Sequence, residues 1–303
     1  MNMKETRSDF RSGFITIVGR PNVGKSSLMN ALIGEKIAIV SSKPQTTRNR
    51  IMGVVTHEQD QMVFLDTPGI HDPKTRLGDY MMHSVHDAME GMDCLMVLLD
   101  ASHITDKDRN LVEEMSSARC PRILVLNKLD LIHPEQILSI MASFESARYD
   151  EIIPISAKTG DGLAQLTDCL RQHLPLGPKY FPEDMMTDQP ERLLCAELIR
   201  EKALRHLRDE VPHGIGVEMM SIQNIRDDLM EIHATIYCER AAHKGIIIGH
   251  QGEMLRTIGS EARQDIEALL HVHVNLKLWV KVRNDWRNNV SDLRNLGYEI
   301  KKN

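Results

Sequence analysis

Residues Gly19 to Ser26 read GRPNVGKS and fit the pattern G-x-x-x-x-G-K-[ST] at every position. An apolar run of strand length, Phe14–Val18, precedes them, and Ser27–Ile33, with a helical composition, follows. That order restricts the chain to folds in which a parallel strand feeds a tight loop and then a helix. Successive backbone N–H groups of such a loop face inward around phosphate oxygens, and the helix N-terminus adds positive potential. Glycine lets the backbone approach that closely. The candidate phosphate-binding residues are therefore Gly19, Arg20, Pro21, Asn22, Val23, Gly24, Lys25, Ser26 and Ser27. Lys25 is placed to neutralise β- and γ-phosphate charge, and the Ser26 hydroxyl to ligate Mg²⁺.

Asp66-Thr67-Pro68-Gly69 follows a second strand-like run, Gln61–Leu65. A carboxylate at the end of a strand beside a phosphate loop holds Mg²⁺, directly or through water. Gly69 offers an unhindered N–H to a γ-phosphate, so this segment senses hydrolysis. A third apolar run, Ile123–Leu126, ends in Asn127-Lys128-Leu129-Asp130, whose chemistry selects the base. A carboxylate only accepts hydrogen bonds. Guanine presents N1–H and its 2-amino group side by side, whereas adenine offers an acceptor at N1 and leaves the carboxylate unpaired. Ser156-Ala157-Lys158 follows a fourth run, Ile152–Ile155.

Four motifs in this order, each ending an apolar run, resemble those of the translation-factor-like GTPases. The resemblance implies a backbone N–H from Ala157 to guanine O6. It implies too that Asn127 would tie base and loops together and that the Lys128 stem would cover the ring face. It also implies a loop threonine completing the Mg²⁺ shell in the GTP form: Thr47 in Pro44–Arg48, with Thr46 as the alternative. Lys25, Thr47 and Gly69 are the expected catalytic set. Two details bear on rate. Ile70 stands where Ras-like enzymes keep a water-orienting glutamine, so intrinsic hydrolysis is expected to be slow. Asn22 matches an asparagine that helps a related group of GTPases bind K⁺. His71 and Arg48 read as solvated loop residues that could assist.

Leu174–Pro190 carries four prolines and a glycine and reads as a linker, with Leu163–Leu174 as the last helix before it. The pattern predicts an amphipathic helix over Arg192–Leu207, strands over Val217–Ile222 and Glu231–Glu239, and a helix over about Glu253–Leu270. A strand over Val272–Val282 and a tail helix near Asp285–Leu296 follow. Gly249-His250-Gln251-Gly252 sits between a short apolar helix and a longer one, the arrangement in which a G-x-x-G loop clamps about four nucleotides of RNA. The order α-β-β-α-α-β is that of the second K homology type.

GRPNVGKS, PQTTR, DTPGI and NKLD, then a proline-bearing linker and GIIIGHQGEMLRTIG, closely resemble the Era-like GTPases over about residues 12 to 300. The fold expected is an α/β P-loop GTPase domain over 12–175, a mostly parallel sheet with helices on both faces. A linker at 176–190 and an α+β type II K homology domain over 191–300 follow. The resemblance implies GTP/GDP and Mg²⁺ as ligands, with K⁺ as a further candidate. It implies binding to the 3′ region of small-subunit ribosomal RNA, a role in assembling the 30S subunit, a cytoplasmic monomer and loose contact with the inner membrane; DNA is not an expected partner. Gly245, Ile246, Ile247, Ile248, Gly249, His250, Gln251 and Gly252 are the candidate RNA residues, with the three isoleucines as an apolar floor under the bases. Lys277, Lys281 and Arg283 are candidate phosphate contacts. His250 and Gln251 depart from the basic residues frequent between these glycines, so RNA affinity is expected to rise when His250 is protonated.

The net charge of −6 argues against indiscriminate nucleic-acid binding, though it is uneven, −7 over residues 1–191 and +1 over 192–303. Trp279 and Trp286 are the aromatic candidates near the RNA unit, with Trp279 expected in the core. Five cysteines without C-x-x-C spacing read as reduced, packed thiols. The charged N-terminus lacks the apolar segment of a signal peptide, and no run of 18 apolar residues exists to cross a membrane. Rival readings are a related GTPase acting on another RNA or on tRNA modification, and an RNA-binding module with slow or no turnover. A P-loop kinase has no use for NKLD.

Overall fold

The computed structural model describes residues 9–43, 45–71 and 73–298. Pro44, the charged residues 1–8 and positions 299–300 of the second predicted domain lie outside the described residues. Contacts divide the chain into two compact units. The first holds the residues up to Glu35, Arg50–Ile70 and Ser84–Asp188; the second holds Lys36–Asn49, His71–His83 and the residues from Gln189 onward.

The first unit is built on a six-stranded sheet. Its strands are β1 (Arg11–Val18), β2 (Ile51–Thr56), β3 (Asp60–Asp66), β4 (Cys94–Asp100), β5 (Arg122–Asn127) and β6 (Glu151–Pro154), in the order β2-β3-β1-β4-β5-β6. Only β2 runs antiparallel to its neighbour. Helices α1 (Lys25–Ile33), α2 (Arg76–Met89), α3 (Asp106–Met115), α4 (Pro134–Ala142) and α5 (Leu163–His173) connect the strands, and α2 is shared between the units. The central strands are apolar at consecutive positions because both faces are covered: Leu95 through Leu99 and Ile123 through Leu126 are all buried. Leu95, Val97, Leu99, Leu124 and Leu126 pack on Leu111, Val112 and Met115 of α3. The expected linker is laid along this unit. Leu176 bridges Arg11, Thr187 bridges Gly53, and the Gln61 side chain bonds the backbone of Tyr180 and Phe181.

In the second unit α6 (Glu191–His206), β7 (Gly216–Arg226), β8 (Leu229–Cys238), α7 (Ala241–Ile248), α8 (Glu253–Leu270) and β9 (His273–Val282) occur in the predicted order. The sheet order is β7-β8-β9, with β8 antiparallel to β7 and parallel to β9. Ile232, Ala234, Ile236 and Cys238 share the buried face of β8, packed with Ile258, Ala262 and Ile266 of α8. Two expectations change. α6 is buried nearly all round, not amphipathic, and its Arg200, Glu201 and Lys202 are buried in ion pairs: Arg200 with Glu197, Glu201 with Lys36, and Lys202 with Asp265. The tail forms a single 3₁₀ turn at Trp286–Asn288 and a short α9 (Val290–Asn295), which Asn289 caps by accepting from the Ser291 and Asp292 N–H groups.

The stretch 36–49 belongs to this unit although it links α1 to β2. Arg48, expected in solvent, is 1% exposed. Its guanidinium donates to the carbonyls of Ile215 (2.7 Å) and His213 (3.3 Å) and to the Tyr298 hydroxyl (3.2 Å), and lies over the Trp286 ring. Burial pulls it below the ordinary arginine range. Arg200 donates to the Gln45 and Thr46 carbonyls, and Glu201 accepts from the Val40 N–H.

Candidate functional site

The phosphate loop closes between β1 and α1. Gly24 has φ 103°, and a Cβ there would lie 2.3 Å from Asn127 Nδ2, so glycine is required both by the turn and by the approach of the NKLD strand end. A Cβ on Gly69 would lie 2.8 Å from Pro21 Cα, and the Ile70 N–H bonds the Gly19 carbonyl; the DTPG turn rides directly on the loop. Lys25 is 6% exposed and donates to the Gly19 (2.9 Å) and Arg20 (3.0 Å) carbonyls. Burial lowers its pKa to about 8, against the opposing pull of Asp66. Ser26 Oγ donates to Asp66 Oδ2 at 2.7 Å. These two hard oxygen donors fit a Mg²⁺ ion. Asn22 is exposed in the left-handed region (φ 65°), and Pro21, Val23 and Ser27 complete the loop, with Val23 buried.

Several expected nucleotide residues act on the protein instead. The Arg20 guanidinium turns away to Thr105 and Asp108 at the start of α3, leaving only its backbone for a phosphate. The Thr67 hydroxyl is buried and donates to the Ile17 carbonyl, which fixes the turn, and Pro68 is buried beside it.

The base side is joined by one amide. Asn127 Nδ2 donates to the Val23 carbonyl (2.8 Å), while its Oδ1 accepts the Ala157 N–H (2.9 Å), so a single side chain connects three loops. The Asp130 carboxylate accepts from Ser156 Oγ at 2.7 Å and faces Lys158 at 3.6 Å. The Ser156 hydrogen bond is the main reason its pKa falls below the usual carboxylate range. It stays ionised and acceptor-only at neutral pH. Lys128, left-handed at φ 70°, is held by Asp100 at 2.6 Å. Thr47 is buried and belongs to the second unit; His71, also there, is half-buried with its ring 3.4 Å from the Gln45 amide.

In the second unit α7 stops at Gly249 (φ 74°, ψ 178°), where a Cβ would sit 2.7 Å from Met254 Cβ. Gly252 (φ 80°) and Gly245 face open space, and His250 and Gln251 are exposed between. The loop opens onto a cleft of about 470 Å³ between α8 and β9, lined by Gly252, Arg256, Gly259, Ser260, Arg263, Leu276 and Leu278 among others. β9 is the edge of its sheet. The Val274 N–H points off that edge to Glu267, so the backbone groups of Leu276 and Leu278, of the same parity, face outward too.

Three RNA expectations are corrected. Ile247 is buried in the core, so the floor reduces to Ile246, 51% exposed, and half-buried Ile248; a helix cannot turn three consecutive residues to one side. Trp279, expected in the core, is 45% exposed, and Trp286, the other stacking candidate, is fully buried. Arg283 stacks 4.0 Å over Tyr237 and pairs with Asp292 at 3.3 Å, and Lys277 pairs with Glu231 at 2.7 Å, while Lys281 is exposed. Arg256 and Arg263 were not anticipated. Their spacing of seven after the G-x-x-G loop, off the buried stripe of Ile258, Ala262 and Ile266, was the available signal.

Comparison with known proteins finds relatives of both parts of the chain. A family model described as a 50S ribosome-binding GTPase matches residues 14–128, and a KH domain model matches 210–287. The chain is 48% identical to GTPase Era of Ruminiclostridium cellulolyticum, across 97% of this chain and 99% of that one. It is 51% identical to GTPase Era of Alkaliphilus metalliredigens, across 96% and 99%. A crystal structure of Era with MgGDPNP and nucleotides 1506–1542 of 16S ribosomal RNA superposes with a TM-score of 0.92, at 39% identity, across 96% of this chain and 100% of that one. A point variant of Aquifex aeolicus Era bound to GDP·AlF₄⁻ gives the same TM-score and coverage at 38% identity. This chain belongs to the Era family of GTPases.

Proposed function

We propose that this protein is a Mg²⁺-dependent, GTP-hydrolysing switch that binds the 3′ region of small-subunit ribosomal RNA and assists assembly of the 30S subunit. The Asn127 bridge carries the reading, since it joins the phosphate loop to the NKLD and SAK loops, where the Ser156 hydrogen bond keeps Asp130 ionised beside Lys158. Ser26, Asp66 and, in the GTP form, Thr47 would hold Mg²⁺, which when bound neutralises charge on the β- and γ-phosphates. Lys25 leaves its two carbonyl acceptors for the phosphate oxygens, and the Gly69 N–H meets the γ-phosphate. Ile70 cannot orient a water, so basal turnover would be slow, and Asn22 would hold a K⁺ ion whose chemistry there is added positive charge. The related Era solved with 16S ribosomal RNA supports the choice of RNA, and the cleft beside Gly249–Gly252 is its groove, with Arg256, Arg263 and His250 meeting phosphates.

Cytoplasmic location, a monomeric state and loose membrane contact belong to the same proposal; no helix of the described residues is long and apolar enough to cross a membrane. The test is GTP turnover in K⁺ and in Na⁺ buffer, with and without single-stranded RNA of the small-subunit 3′ end. Turnover that prefers K⁺, with RNA bound and ATP not hydrolysed, is expected. Equal hydrolysis of ATP and GTP refutes the base reading, and equal rates in K⁺ and Na⁺ refute the Asn22 role.

A further inference from the structure

Trp279 marks a surface that the cleft does not include. Along β9, Val274, Leu276, Leu278 and Val280 pack into the core, so Asn275, Lys277, Trp279 and Lys281 stand on the opposite face, all exposed. The register sets Lys277 against His233 and Trp279 against Thr235 on β8. The His233 ring meets the indole edge-on (5.2 Å between centroids, 65°), which steadies it and leaves it 45% exposed.

A single exposed apolar side chain is ordinary. This one is a large flat π-surface with an ammonium group two residues away on either side, about 7 Å along the strand. Glu231 shares its charge between Lys277 (2.7 Å) and His233 (2.9 Å), whereas Lys281 makes no ion pair among the described residues. The face is thus an aromatic platform flanked by positive charge, the chemistry that stacks a nucleobase and meets its phosphates without reading sequence. It also adjoins the cleft. Leu276 and Leu278 line the groove, and Lys277 and Trp279 are their immediate neighbours on the same edge strand. A K homology groove takes about four nucleotides, so a longer strand must leave it.

We propose that the outer face of β9, centred on Trp279 and flanked by Lys277 and Lys281, stacks one or two nucleotides of single-stranded RNA that crosses the strand's edge out of the α8–β9 cleft. The inference rests on the cleft being the RNA groove. Because the chain has two tryptophans and Trp286 is fully buried, acrylamide quenching reports on Trp279 directly. The probes are a four-nucleotide and a twelve-nucleotide single-stranded RNA from the small-subunit 3′ end, each titrated into the full-length protein. The longer RNA is expected to shield Trp279 from acrylamide and the shorter one not to. Trp279→Ala should weaken the longer RNA about 5- to 100-fold and the shorter less than about twofold, with Trp279→Phe recovering most of the loss. Lys281→Ala should lower the salt slope for the longer RNA by about one. The proposal fails if the longer RNA binds with acrylamide access unchanged, or if Trp279→Ala binds both RNAs like wild type. Binding of neither RNA to wild type would overturn the groove reading and this platform with it.

Discussion

Replacing Lys25 by methionine should make the nucleotide-free protein more stable while removing its ability to bind nucleotide. Burial lowers the folded pKa from 10.5 to about 8. The unfolded chain holds its proton up to 10.5, so between these values the unfolded state binds more protons and stability rises with pH. The cost is fully present below pH 8, lost above 10.5, and amounts to about 3 kcal/mol at neutral pH. In the methionine variant the Gly19 and Arg20 carbonyls lose their donor, which takes back about 1–2 kcal/mol together. Lys25→Met, which keeps the stem, is therefore expected to gain about 1–2 kcal/mol in urea unfolding at about pH 7 and to lose GDP stabilisation altogether. The same argument predicts proton uptake on binding. A polyphosphate beside the ammonium restores its ordinary pKa, so a large fraction of a proton should enter per GDP bound at about pH 8.5, and much less at about pH 7. Calorimetry in two buffers of different ionisation enthalpy measures this, with Lys25→Arg as a control that cannot deprotonate. Uptake below about 0.2 proton at about pH 8.5, or a nucleotide-free Lys25→Met protein less stable than wild type, would refute the reasoning.

Asp130→Asn should weaken GDP by about 10²- to 10³-fold and admit xanthosine diphosphate, because the new amide donates to the 2-carbonyl of xanthine; competition binding decides it. Gly249→Ala meets Met254 at 2.7 Å with φ at 74°, so the loop should lose about 1–3 kcal/mol and RNA affinity should drop at least about tenfold, with GTP turnover unchanged. Arg48→Ala leaves the Ile215 and His213 carbonyls without their donor and should lower the stability read from Trp286 in urea by about 2–4 kcal/mol. Arg48→Met, which fills the space and removes a buried charge, should cost less than half of that. Equal losses in the two variants would show that the lost guanidinium hydrogen bonds set the cost and that filling the space recovers none of it.

Local sequence was enough to find the motifs that the fold brings together through Asn127, because each ends an apolar run, and the reading of Asp130 followed from donor and acceptor chemistry. It carried α8 and β8 for the same reason, their apolar residues falling on one face. α6 misled because periodicity counts Arg200, Glu201 and Lys202 as solvent-facing, and only partners distant in sequence, such as Lys36 and Asp265, show otherwise. The burial of Arg48 depends on Ile215, Trp286 and Tyr298, more than 160 residues away, and no local pattern holds that information. Trp279 was legible after all. Its parity with Lys277 and Lys281, not with Leu278 and Val280, placed it outside.

The stretches 36–49 and 71–83 fold with the RNA-binding half though they are threaded through the sequence of the nucleotide-binding half. No single cut separates the two activities cleanly. A fragment ending at residue 188 would carry Arg48, Leu77 and Met81 stripped of the Trp286, Leu293 and Tyr298 surroundings that shelter them. A graft of the RNA-binding half onto a foreign GTPase would arrive with two holes in it unless the host's own loops were exchanged at the same time.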